Sequence, residues 1–79
     1  MMAEIDLHGM KHVEVDRVVE NFVFANQNNF PITVITGHSP EMKKIVKDVL
    51  KRNGFKHYEG DYSKTNMGVI TVEGFNNKK

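Results

Sequence analysis

Two short apolar runs that each end in polar residues, and each lead into a helical stripe, set the pattern of this chain. Residues 3–9 alternate, with Ile5 and Leu7 on one side of an extended segment and Asp6 and His8 on the other. Gly9 and Met10-Lys11 make a turn. From about 12 to 27, Val15, Val18, Val19, Phe22 and Asn26 recur at i, i+3, i+4, i+7 spacing and predict an amphipathic helix. Val13 and Phe24 fall roughly opposite that stripe, either exposed or forming a second contact such as a dimer patch. Gln27-Asn28-Asn29 stops the helix, and Pro31 opens a second strand whose run Ile32-Thr33-Val34-Ile35 is rich in β-branched residues.

A second helix begins at Ser39-Pro40-Glu41. Serine is a good N-cap, proline suits the first helical position, and an acid favours the positive end of the dipole. Its stripe is Met42, Ile45, Val46, Val49 and Leu50, and Asn53-Gly54 ends it. Residues 55–62 and 68–75 then read as two strands joined by 63–67, a connection short enough for an antiparallel hairpin. The order is β-α-β-α-β-β. The first crossover predicts a right-handed, parallel strand pair, and hence a four-stranded mixed sheet of α/β class. All of 1–79 reads as one domain, with a core over about 3–75 and a frayed tail over 76–79.

Composition narrows the class. The 79 residues include no cysteine, so neither a disulfide framework nor a zinc knuckle supplements a small core. The four histidines form no HExxH motif. No apolar run approaches the ~20 residues of a membrane span, and the first residues show no basic, apolar leader. A cytoplasmic protein without a membrane partner is the expectation. Net charge is +1, but unevenly spread. Residues 1–29 hold two basic and five acidic side chains, a net −3, and 30–79 hold nine against five, a net +4. A basic half suits a polyanion, and it equally suits an ordinary solvated surface.

The candidate chemistry sits at the strand ends, because ligands of open α/β sheets bind outside the carboxyl ends of parallel strands. If the first two strands are neighbours, Asp6 and His8 face the same cleft as Thr36-Gly37-His38-Ser39. A carboxylate beside an imidazole can fix its tautomer, as a general acid or base requires; alternatively Asp6 caps the helix or pairs with a lysine. Gly37 allows close backbone approach, and the free N–H groups opening the second helix attract an anion such as phosphate. On that helix Lys43, Lys44, Lys47 and Lys51 fall within an arc of roughly 100° away from the apolar stripe, either a solvated face or a phosphate track.

The combination resembles the Smr (small MutS-related) domain. Ile5-Asp6-Leu7-His8-Gly9, with Val13-Glu14-Val15 opening the helix, is similar to that family's LDLHG motif. Val34-Ile35-Thr36-Gly37-His38-Ser39, followed by Met42-Lys43-Lys44-Ile45-Val46 and Leu50, looks like its second motif, [HT]GxG before a helix, and 68–72 like its closing strand. The likeness runs over about 4–74 and departs at Ser39, which stands where the motif has its second glycine. The resemblance implies a two-layer α/β sandwich similar to the C-terminal domain of translation initiation factor three. It also implies nucleic-acid binding and, in many members, endonuclease or nicking activity on DNA or RNA. Carried onto this chain, it makes Asp6 and His8 the catalytic candidates. Gly9, Lys11, Thr36, Gly37, His38, Ser39, Lys43, Lys44 and Lys47 become the nucleic-acid-binding candidates.

Three readings follow. The first is an endonuclease in which His8 transfers protons, Asp6 orients it, and helix N–H groups and lysines stabilise the phosphate. The second is a DNA- or RNA-binding module using the same cleft and basic helix without cleavage. The third is a protein-interaction domain using Val13 and Phe24. The residues specify no cofactor; Mg²⁺ held through Asp6 is an option, although one acid makes a weak metal site.

Overall fold

The computed structural model describes residues 3–61 and 67–76. Four strands and two helices alternate as the sequence predicts: β1 (Glu4–Asp6), α1 (His12–Ala25), β2 (Ile32–Ile35), α2 (Pro40–Arg52), β3 (Phe55–Glu59) and β4 (Val69–Phe75). The sheet order is β1-β2-β4-β3, parallel between β1 and β2 and antiparallel elsewhere. The protein is a two-layer α/β fold with a mixed sheet.

Register explains the core. Ile5 lies opposite Val34, Val34 opposite Ile70, and Ile32 opposite Val72. Directly opposed residues share a face, so these side chains form one apolar surface. Against it pack Val15, Val19 and Val23 of α1 and Met42, Val46, Val49 and Leu50 of α2, all buried, together with Leu7 and Phe55. Each such side chain contributes roughly 1.5–3 kcal/mol by leaving water. The α1 stripe is rotated from the predicted one: Val23 is fully buried, whereas Val18 and Phe22 are half-buried. Asn26 is not a core position. Its Nδ2 donates to the Phe22 carbonyl at 2.9 Å, and the helix stops one residue earlier, at Ala25.

The hairpin carries a bulge. His57 pairs with Val72 and Lys56 with Gly74, so Glu73 is the extra residue on β4. That insertion reverses the alternation and turns Phe75 to the same side as Phe55, their rings 4.9 Å apart. Phe24 meets Phe55 edge-on at 5.2 Å, and Phe30 lies 5.9 Å from Phe75. Phe24 therefore makes a second contact within the chain and is 40% exposed, while Val13 is 85% exposed. This aromatic cluster closes the pole opposite the carboxyl ends of β1 and β2.

β3 and β4 are paired and antiparallel as expected, with β3 ending at Glu59; Tyr62 and most of the predicted link, 63–66, lie outside the described residues. Asn76, placed in the tail by sequence, donates its N–H to the Gly54 carbonyl at 2.7 Å, and 77–79 lie outside the described residues. Among the described residues no helix is long and apolar enough to cross a membrane.

Candidate functional site

Because β1 and β2 are parallel neighbours, the two polar strand ends lie side by side. β1 is short, but the Leu7 N–H still reaches the Ile35 carbonyl at 2.8 Å, which carries the pairing past Asp6. The chain then turns through Leu7-His8-Gly9-Met10, closed by the Met10 N–H on the Leu7 carbonyl at 2.9 Å. Gly9 has φ +84°, in the left-handed region that such a turn assigns to glycine. Asp6 supports the same turn. Its Oδ1 accepts the His8 backbone N–H at 2.9 Å, an Asx-type contact.

This corrects the expected role of Asp6, whose carboxylate is engaged by the His8 main chain rather than by the His8 ring. Alternation does put both side chains on one face, but at the strand end the nearest unpaired donor is the N–H two residues on. Among the described residues the His8 ring makes no hydrogen bond, and the residue is exposed. Its Cδ2 lies beside Gly37, 3.7 Å from where a Cβ on that glycine would sit. The two motifs thus meet through an imidazole edge and a glycine backbone. Gly37 has φ +71°, so glycine is required there by conformation more than by space.

Thr36 is buried and fully occupied. Its single hydroxyl proton is shared between the Gly37 and Gly68 carbonyls, at 2.8 and 3.2 Å from the oxygen, and the Thr36 and Gly37 N–H groups both donate to the Gly68 carbonyl at 2.9 Å. Thr36 therefore shapes the turn, with its hydroxyl aimed at main-chain carbonyls. Gly37 contributes position rather than a free N–H. Ser39 is the N-cap of α2: its hydroxyl accepts the Met42 N–H at 3.1 Å, and its carbonyl accepts the Lys43 N–H. Pro40 has no N–H, which leaves those of His38, Ser39 and Glu41 as the donors at this helix start. His38 is exposed at the mouth of the cleft, as are Gly9 and Lys11, the latter at the N-cap position of α1 without a side-chain cap.

One contact here lay beyond the sequence reading. His12 Nδ1 of α1 stands 3.8 Å from Glu41 Oε1 of α2, so the two helix N-termini flank the cleft. The place of Glu41 at the positive end of the α2 dipole was legible, but its nearness to His12 depends on how the helices pack. Among the described residues no three His, Asp or Glu side chains converge where a metal ion could sit.

The lysine arc is the largest departure. Lys43 and Lys47 Nζ each lie 2.8 Å from one oxygen of Glu59, and Lys44 pairs with Asp48 on its own helix at 3.0 Å. Lys43 is only 15% exposed and does not belong to a solvated face. Glu59 shares the helix-facing side of β3 with Phe55, and odd-numbered alternation along that strand was the available signal. The two lysines hold the Glu59 carboxyl well below the usual carboxylate range, at about 2.

No family model, curated protein or solved structure matches the chain.

Proposed function

We propose that the chain is a nucleic-acid-processing domain of Smr type, which binds a phosphodiester backbone at the ends of β1 and β2 and cleaves it with His8 as the general acid/base. The observation that carries the reading is the placement of the His8 imidazole edge beside Gly37, in the turn that leads into α2. A phosphate accepting from the N–H groups of His38, Ser39 and Glu41 lies at the positive end of the α2 dipole. His8 is then on the same side of the phosphate as those donors. Cleavage needs a proton taken from the attacking oxygen and one returned to the leaving oxygen, and a single exposed imidazole can do both in turn. The helix donors offset charge that grows on the phosphoryl oxygens.

A second reading has a specific observation behind it. Asp6 is committed to the His8 main chain, so the imidazole lacks a carboxylate to fix its tautomer. A binding module that holds DNA or RNA without cutting it requires no such partner. Comparing native protein with His8→Ala separates the two: an enzyme loses cleavage and keeps affinity, while a binding module shows no cleavage in either form.

A further inference from the structure

A groove with a volume of about 550 Å³ runs between α2 and β3, from Pro40 at the start of α2 to Lys51 near its end, and is lined by none of Asp6, His8 or Thr36. Its walls carry Lys43, Lys44, Lys47 and Lys51 against Asp48 and Glu59, so four positive groups face two negative ones. A separate hollow of about 260 Å³, which shares Lys51 with it, is bordered by Lys56, His57 and Asn76. The 13 residues of α2 set the groove's length at about 20 Å. That matches the rise of roughly six stacked nucleotides at ~3.4 Å each.

The floor of the groove is arranged around one oxyanion. Both oxygens of the Glu59 carboxylate are taken, one by each ammonium of Lys43 and Lys47, at 2.8 Å. Two ammonium groups converging on two oxygens of one group also suit the two non-bridging oxygens of a phosphodiester. A single ion pair would tie α2 to the edge strand. The second lysine leaves the cluster with an excess positive charge, and Lys51 has no ion pair among the described residues.

We infer that the α2/β3 groove is a second binding site for a nucleic-acid strand, and that Glu59 occupies the place of one phosphate and holds the site partly self-neutralised. The ligand class rests on the nucleic-acid reading above. The groove itself is distinct from the His8 cleft. The carboxylate stays ionised throughout the neutral range, so proton uptake does not open the site; an entering phosphate displaces or shares the two ammonium groups. Glu59 thereby lowers affinity and keeps the strand exchangeable.

The test is the affinity of the whole chain for a fluorescent 20-nucleotide single-stranded DNA, measured against salt for native protein, Glu59→Gln and Lys51→Glu. Each ammonium released for phosphate adds about 0.7 to the slope of log K on log salt for a single strand. Glu59→Gln is expected to steepen that slope by about 1.4 and to tighten binding on the order of tenfold at low salt. Lys51→Glu, an exposed substitution that does not disturb the core, is expected to weaken binding and flatten the slope. Unchanged affinity and slope in a folded Glu59→Gln protein overturn the inference, as does unaltered binding by Lys51→Glu. A gain for poly-glutamate without one for DNA overturns the assignment to nucleic acid. Plasmid cleavage by the native protein is read separately. Loss of the cleavage reading with a Glu59→Gln gain leaves the groove standing, and cleavage without that gain refutes the groove alone.

Discussion

Glu59→Gln should cost the fold stability at pH 7 by an amount that disappears in acid. The Glu59 carboxyl drops from its ordinary 4.5 to about 2 because it accepts hydrogen bonds from Lys43 and then Lys47. At about 1.4 kcal/mol per tenfold change in proton affinity, that depression sets a ceiling of roughly 3 kcal/mol. Glu59 is 30% exposed and Lys47 is 36% exposed, so solvent screening brings the contribution to about 1–2 kcal/mol. The sign follows from linkage. A carboxyl whose folded pKa lies below its unfolded value stabilises the fold fully above about pH 4.5, and that contribution is lost as the pH falls toward about 2. Urea unfolding of native and Glu59→Gln proteins at pH 7, 4 and 2.5 measures the gap between them. The expected gap is about 1–2 kcal/mol at pH 7, narrowing steadily toward zero in acid. A gap that stays the same at all three values would refute the reasoning, because it would arise from packing of the amide and not from the ion pairs.

Other substitutions separate fold from site. Leu50→Ala removes a fully buried side chain and should destabilise by about 2–5 kcal/mol in the same unfolding assay. Ser39→Ala deletes the acceptor for the Met42 N–H and should cost about 1 kcal/mol. Gly37→Ala meets no clash, since the His8 ring lies at ordinary contact distance; the φ of +71° alone should cost about 1–2 kcal/mol, seen as a lowered unfolding midpoint. His8→Ala should leave stability within about 0.5 kcal/mol of native, because the residue is exposed, while reducing any cleavage rate by about 10²–10⁴-fold.

Much of the architecture was legible because each element carries its own local signals. The Ser39-Pro40-Glu41 start of α2 and its stripe placed that helix correctly, β-branched Ile32–Ile35 marked β2, and the crossover through α1 made it parallel to β1. The same periodicity misjudged α1, where Val23 rather than Asn26 completes the buried row; a stripe read at 100° per residue fixes a face only to within about one position. The Glu73 bulge was invisible because nothing local distinguishes an extra strand residue until its partner register is known. At the site, the meeting of His8 and Gly37 followed from strand adjacency. The engagement of Asp6 by a backbone N–H and the capture of Lys43 and Lys47 by Glu59 did not, since both depend on tertiary partners that local spacing cannot rank. A lysine arc on a helix says where cations are, and only the opposing strand says whether they are answered.

The most direct test of the proposed cleavage site is incubation of supercoiled plasmid and of a structured RNA with native and His8→Ala proteins, each with and without Mg²⁺. The account predicts nicked or cut product from the native protein and none from His8→Ala, with both forms binding the substrate alike. Equal product from the two proteins would contradict it, because cleavage would then run without the His8 imidazole. Absence of product from both, with salt-sensitive binding intact, would contradict it equally and leave the domain as a binder of nucleic acid.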